Sequence, residues 1–204
     1  LSGDATLSCA TCHDPKNGWA DGLPLSKGYP GTLYFRNTPT VVNAVHGKYL
    51  FWDGRLPASD LPTVVRDHIA EAHFLQADGR LVIERLRQVP EYEAEFKSTF
   101  GGEPTYGRIL NATAAFVKSL QSQDVPFDKF LGGDDAAIGD SAKSGLALFK
   151  GKAGCIRCHD GAMLTDAKFH SLGLTSNPDI FRTPLRHITF RRFFRTLGVP
   201  NYRA

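Results

Sequence analysis

The chain has no thiol to spare. Its 204 residues carry four cysteines, and all four fall in two pentads, "CATCH" at residues 9–13 and "CIRCH" at residues 155–159. No cysteine remains for a disulfide framework. Nothing approaches an apolar run of about 18 residues, so no membrane span is expected. A strong bias of one charge is absent too: the net charge of +3 is too mild to point to nucleic acid. Nor does a basic, apolar-cored leader precede the first pentad, and the first residue is Leu1; any export signal is expected to be removed or to lie outside this sequence.

What is present is an ordinary globular balance, 42% hydrophobic and 22% charged residues, which argues against a disordered chain. The length suits one large or two small domains with real cores, and two are expected.

Three chemistries use paired C-x-x-C elements. A zinc site brings two pairs within about 15–20 residues of each other, whereas most of this chain separates them. A redox dithiol explains one C-x-x-C but not two, each followed by histidine. C-x-x-C-H is the attachment signature of c-type haem: two thiols add to the haem vinyl groups and the adjacent histidine becomes an axial ligand. Cys9, Cys12 and His13 would hold one haem c, and Cys155, Cys158 and His159 a second. Because bacteria complete this attachment outside the cytoplasm, a periplasmic, exported protein is expected.

Residues 14–50 are rich in Gly, Pro and Asn and read as long ordered loops around the first haem. Helical spacing begins at Leu61, with Val64, Val65, His68 and Ile69, and resumes with Leu81, Ile83, Leu86 and Val89. Pro90 starts a further helix that Gly101 and Gly102 stop. Thr105 caps another through about Gln121, with an apolar face of Ile109, Leu110, Ala114, Phe116, Val117 and Leu120 expected in the core. "VPFDKFLGGDDAAIGD" reads as a linker, followed by the helix "SAKSGLALFKG". The expected domains are residues 1–133 and 134–204.

Taken in order, the two pentads, "RNTPTVVNA", "FWDGR", "VPEYEAEF", "PFDKFL" and "GLALFKGKAGCIRCHDG" resemble the bacterial di-haem cytochrome c peroxidase superfamily, which includes the MauG-like enzymes. The resemblance runs from about Leu1 to Leu174. It implies a mainly α fold of two cytochrome-c-like haem domains, with peroxide reacting at the N-terminal haem and the C-terminal haem supplying electrons. It carries Trp52 over as the electron relay, although a tryptophan is usually core packing. Glu71 falls where relatives place the carboxylate that moves a proton within bound peroxide; otherwise it would read as a solvated glutamate. His68 and His73 flank it and could share that task, though each alone is more often structural or on the surface. Arg55 could pair a haem propionate or form a salt bridge to Asp53 or Asp60. Asn37 matches a position that helps hold a calcium ion.

Two departures stand out. "LSKGYPGTLYFRNTPT" lacks the histidine that closes the peroxidatic iron in many relatives, and Tyr29 falls near its place. An iron open to peroxide, as in the MauG-like branch, is the expectation. The tail "PLRHITFRRFFRTLGVPNYRA" does not match the segment carrying the second haem's distal ligand, so a fragment or an unusual tail is expected. Its arginines, from Arg182 to Arg203, form a solvated or propionate-facing surface or a docking face for an acidic partner. The implied partners are hydrogen peroxide and either a small redox donor, a cytochrome c or cupredoxin, or a protein substrate whose Trp or Tyr is oxidised. The rival reading is a non-catalytic di-haem electron-transfer cytochrome.

Overall fold

The structure, a computed structural model, describes residues 1–29, 31, 33–34 and 36–175. The arginine-rich stretch from Arg182 to Arg203 lies outside them. Among the described residues the protein is mainly helical. α1 is Cys9–Cys12, α2 Leu61–Ala70, α3 Gly79–Arg87, α4 Pro90–Phe100, α5 Tyr106–Ser119, α6 Pro126–Leu131 and α7 Asp140–Lys150. The one sheet among these residues is a two-stranded antiparallel pairing of β1, Tyr49–Leu50, with β2, Leu56–Pro57. Among the described residues of 14–48, Pro15–Asn17 and Ala44–His46 form short 3₁₀ turns and isolated antiparallel bridges join Asp14 to Ala20 and Lys27 to Leu33, little regular structure, as the composition suggests.

The helices begin and end where local chemistry dictates. The Asp60 carboxylate accepts the Thr63 N–H at the start of α2, and Asp78 accepts that of Arg80 at the start of α3. Pro90 opens α4, and Gly101 ends it at φ 69°, a left-handed backbone that glycine adopts without strain. The Thr105 hydroxyl accepts the Arg108 N–H and caps α5.

Two compact units emerge. The first takes Leu1–Leu120 together with residues 171–175, and the second takes Gln121–His170. The core of the first is built by Val65 and Ile69 of α2, Val82 of α3, Phe96 of α4 and Ile109 of α5, closed by Leu75 and Ala77. α2 and α5 pack directly on one another. Phe116, expected in this core, instead lies 52% exposed and sets its ring edge-on to Trp19 at 5.6 Å.

The stretch read as a linker contains α6. Pro126 opens that helix and Asp128 sits in its first turn, both favourable, but six residues are too few to show a helical period. α6 belongs to the second unit, so the units divide after Leu120 rather than near residue 133.

Ile69, 3% exposed on the α2 face that meets the core, sets a first prediction. Ile69→Ala should cost about 2–5 kcal/mol, read as a lower urea midpoint of the haem-loaded protein with the slope m unchanged. An unshifted midpoint would mean that α2 is not held by this face.

Candidate functional site

The first pentad is one turn of helix. α1 places Cys9 and Cys12 three residues apart and therefore on one side, and the His13 N–H closes the turn on the Cys9 carbonyl at 2.8 Å. The His13 ring then bonds through Nδ1 to the Trp19 carbonyl at 3.1 Å. An imidazole that donates from Nδ1 keeps its lone pair on Nε2, the nitrogen a metal takes. Burial lowers the pKa of this ring, against the pull of the Trp19 and Pro39 carbonyls and the Asp21 charge.

The second pentad repeats the device. The His159 N–H bonds the Cys155 carbonyl at 3.0 Å, and His159 Nδ1 bonds the Leu164 carbonyl at 3.1 Å. Both acceptors come from non-glycine residues with left-handed backbone, Trp19 at φ 62° and Leu164 at φ 51°. Such conformations cost of order 1 kcal/mol or more each, and here each turns a carbonyl back onto a histidine. Beside His159 lies a cavity of roughly 480 Å³ lined by Phe127, Leu131, Leu146, Phe149 and Ile156. Apolar cavities of about 300–1,000 Å³ suit cofactors.

The thiols agree with this reading. Burial and the Asp21 charge push the Cys12 thiol up, whereas redox or metal-binding thiols are drawn down toward thiolate. Two thiols, an oriented Nε2 and, at His159, an apolar cavity make a donor set that fits haem c. Cys158 also lies within 4.8 Å of ligand atoms of Asp166 and His170. Those two form a 2.9 Å ion pair when His170 is protonated, so the pair flanks the second attachment point.

Around His13 the loops are tied by polar side chains. Buried Thr38 donates to Asp21 at 3.1 Å and shares a hydrogen bond with Ser26, while the Thr40 hydroxyl bonds the Gly18 carbonyl at 2.6 Å. The loop at 26–29 presses so closely on residues 73–74 that a Cβ at Gly28 would overlap the His73 carbonyl. The Tyr29 N–H bonds the Phe74 carbonyl at 2.9 Å, and its ring lies against Gly3.

Asp53, 8% exposed, accepts from Arg36 at 3.0 Å and from Arg55 at 3.2 Å. This is the Asp53 salt bridge allowed for Arg55. With two cations on one carboxylate, the group retains a positive charge suited to an acidic ligand such as a propionate. The Arg55 guanidinium lies 3.4 Å from the Phe51 ring centre, a cation–π contact. The His68 ring lies near-parallel to the rings of Phe51 at 5.1 Å and Phe74 at 4.6 Å, which are themselves 6.3 Å apart, and 6.1 Å from that of His13.

Of the other sequence-flagged residues, Trp52 is 46% exposed and donates its indole N–H to the Asn37 carbonyl at 3.0 Å. Asn37 itself is exposed. Glu71 ends α2, half-buried, and its carbonyl accepts the Phe74 and Gln76 N–H groups. His73 is buried and its ring packs at 5.5 Å from that of Tyr34. The side chain in the 65–75 region that the structure shows against His13 is His68, whose place in the helical spacing gave no hint of that approach.

Replacing Cys155 and Cys158 together with alanine should leave one haem per chain resistant to acid–acetone extraction, scored by haem staining on a denaturing gel. Retention of two covalent haems, or of none, would contradict independent attachment at the two pentads.

Comparison with known proteins follows the same line. The family described as "Di-haem cytochrome c peroxidase" matches residues 1–136. "Cytochrome-c peroxidase IdrP2" of Pseudomonas sp. (strain SCT) is 52% identical over 99% of this chain and 55% of its own length. "Methylamine utilization protein MauG" of Methylorubrum extorquens is 41% identical over 89% of this chain and 52% of its own. Among solved structures, a "MauG-like protein associated with microbial copper homeostasis" superposes with a TM-score of 0.72 at 25% identity, covering 83% of this chain and 52% of that one. The chain thus spans about half the length of the curated relatives it matches. Membership implies covalently bound haem c, and on these grounds the chain belongs to the di-haem cytochrome c peroxidase family, the family that includes MauG.

Proposed function

We propose that this protein is a periplasmic di-haem oxidoreductase that activates hydrogen peroxide at the His13 pentad and receives electrons through the His159 pentad. The observation that carries the reading is the repeated device: each pentad fixes its histidine through Nδ1 to a backbone carbonyl, with Nε2 left for iron, in a chain of the peroxidase family. Haem bound at His13 supplies the iron at which the peroxide O–O bond is cleaved. No helix of the described residues is long and apolar enough to cross a membrane.

The residues take distinct parts. Glu71 moves a proton between the two peroxide oxygens, a task that general acid–base groups accelerate about 10²- to 10⁴-fold. Arg55, with Arg36 and Asp53, supplies a positive setting for a haem propionate. Trp52 relays electrons; its indole is pinned by the Asn37 carbonyl yet keeps part of its face exposed. Asn37 serves as one oxygen ligand of a calcium ion. The substrate is a partner protein's Trp or Tyr, as the missing histidine before "RNTPT" favours, or else a small cytochrome c or cupredoxin donates electrons for peroxide reduction. One observation favours a second reading, a closed electron-transfer cytochrome: the proximity of His68 to His13.

The test is low-temperature EPR of the ferric, haem-loaded protein before and after one equivalent of peroxide, repeated on a half-reduced sample. Loss of the ferric signals with peroxide in either state supports peroxide activation; signals unmoved in both support the carrier. Trp52→Phe should slow electron exchange between the haems with both still attached, and an unchanged rate would remove Trp52 from the path. Glu71→Gln should slow peroxide cleavage by about 10²-fold or more; equal rates would dismiss the proton-transfer role.

A further inference from the structure

An imidazole over another imidazole is the strongest unexplained feature of the first unit. His13 and His68 come from elements 55 positions apart in sequence, yet their ring centres lie 6.1 Å apart. Two metal–imidazole bonds of about 2.0 Å, added to the distance from each bonded nitrogen to its ring centre, span just over ~6 Å. The separation is therefore that of two rings sharing one iron. Their 54° interplanar angle is compatible, because each ring can turn about the common bond axis.

We infer that His68 is the sixth ligand of the iron held by His13, coordinating through Nε2 from within α2. The inference rests on haem at the first pentad, and three features of His68 support it. Its Nδ1 bonds the Val64 carbonyl one turn earlier at 2.8 Å, so Nε2 carries the lone pair, the same arrangement that prepares His13. Phe51 and Phe74 stack on the ring nearly parallel, at 10° and 15°, and fix its plane. The anchors on both histidines are backbone carbonyls, which do not titrate.

A half-buried histidine bonded to its own helix is usually only packed. What sets His68 apart is a second imidazole, prepared in the same way, one metal's width distant. The loop before "RNTPT" lacks a histidine, and the sequence reading left the iron open; in this assignment α2 closes it from another direction. Peroxide then has to displace an imidazole packed beside two aromatic rings. Resting protein is closed, and opening it means moving the C-terminal end of α2 or turning the His68 ring away from Phe51 and Phe74.

The experiment uses ferric, haem-loaded protein and reads axial ligands by low-temperature EPR and near-infrared magnetic circular dichroism. Unaltered protein should show the first haem low-spin with a bis-histidine signature. His68→Ala should retain two covalent haems, convert that signal to high-spin, bind cyanide at least tenfold faster, and return to low-spin when imidazole is added. His68→Met, which keeps much of the side-chain volume, should replace the bis-histidine signature by a histidine–methionine one and serves if the alanine variant does not fold. A high-spin first haem in the unaltered protein, or a bis-histidine signature that persists in the variants, would overturn the assignment. If His68→Ala opens the iron and neither protein consumes peroxide, the ligand stands and peroxide activation falls.

Discussion

An imidazole presents a chosen nitrogen to a metal only when its other nitrogen is held, and much of this structure serves that constraint. Trp19 and Leu164 accept the backbone cost of a left-handed conformation so that their carbonyls meet His13 and His159. His68 obtains the same result without strain, because a helix already aims a carbonyl at the side chain one turn later. Proton position at all three rings is thus decided by main-chain geometry. Side-chain acceptors such as carboxylates would bring their own titration; carbonyls do not.

The two pentads reach this state in different settings. His13 is enclosed by loops that threonine hydroxyls and the Asp53 pair of arginines tie together. His159 stands at an apolar cavity formed by the short helix α6, α7 and the turn that carries it. Polar cross-links define the first niche and hydrophobic lining the second. Loops rich in glycine and proline cannot bury enough apolar surface to hold themselves, and directed hydrogen bonds take over.

Legibility in the sequence followed the range of the forces involved. Cys9, Cys12, His13, Cys155, Cys158 and His159 stood out because C-x-x-C-H is a fixed local spacing. α2 to α5 were readable from Pro90, Gly101 and the Thr105 cap and from a period repeated over two or more turns; the Asp60 and Asp78 caps came only with the structure. α6 escaped because six residues complete too little of a period, although Pro126 marked its start. Phe116 was misjudged because the apolar face of α5 is wider than its contact with the core, and Trp19 takes the surplus ring. His68 was flagged only as a flank of Glu71; its ring-to-ring approach to His13 is made by tertiary packing, which nothing local in either segment encodes. Left-handed Trp19 and Leu164 were equally hidden, because the residue that normally announces that backbone is glycine.

Phe74 has a mechanical consequence. Its carbonyl receives the Tyr29 N–H, its ring presses on His68, and beside it the Gly28 backbone meets His73 with no room for a side chain. One residue earlier than Gly28, the Lys27 carbonyl receives the Cys12 thiol at 3.4 Å. A displacement of Phe74 is thereby transmitted along a stiff, three-residue lever to the segment that flanks the first pentad. Slack in that lever is minimal, because a backbone contact as close as that at Gly28 transmits force rather than absorbing it.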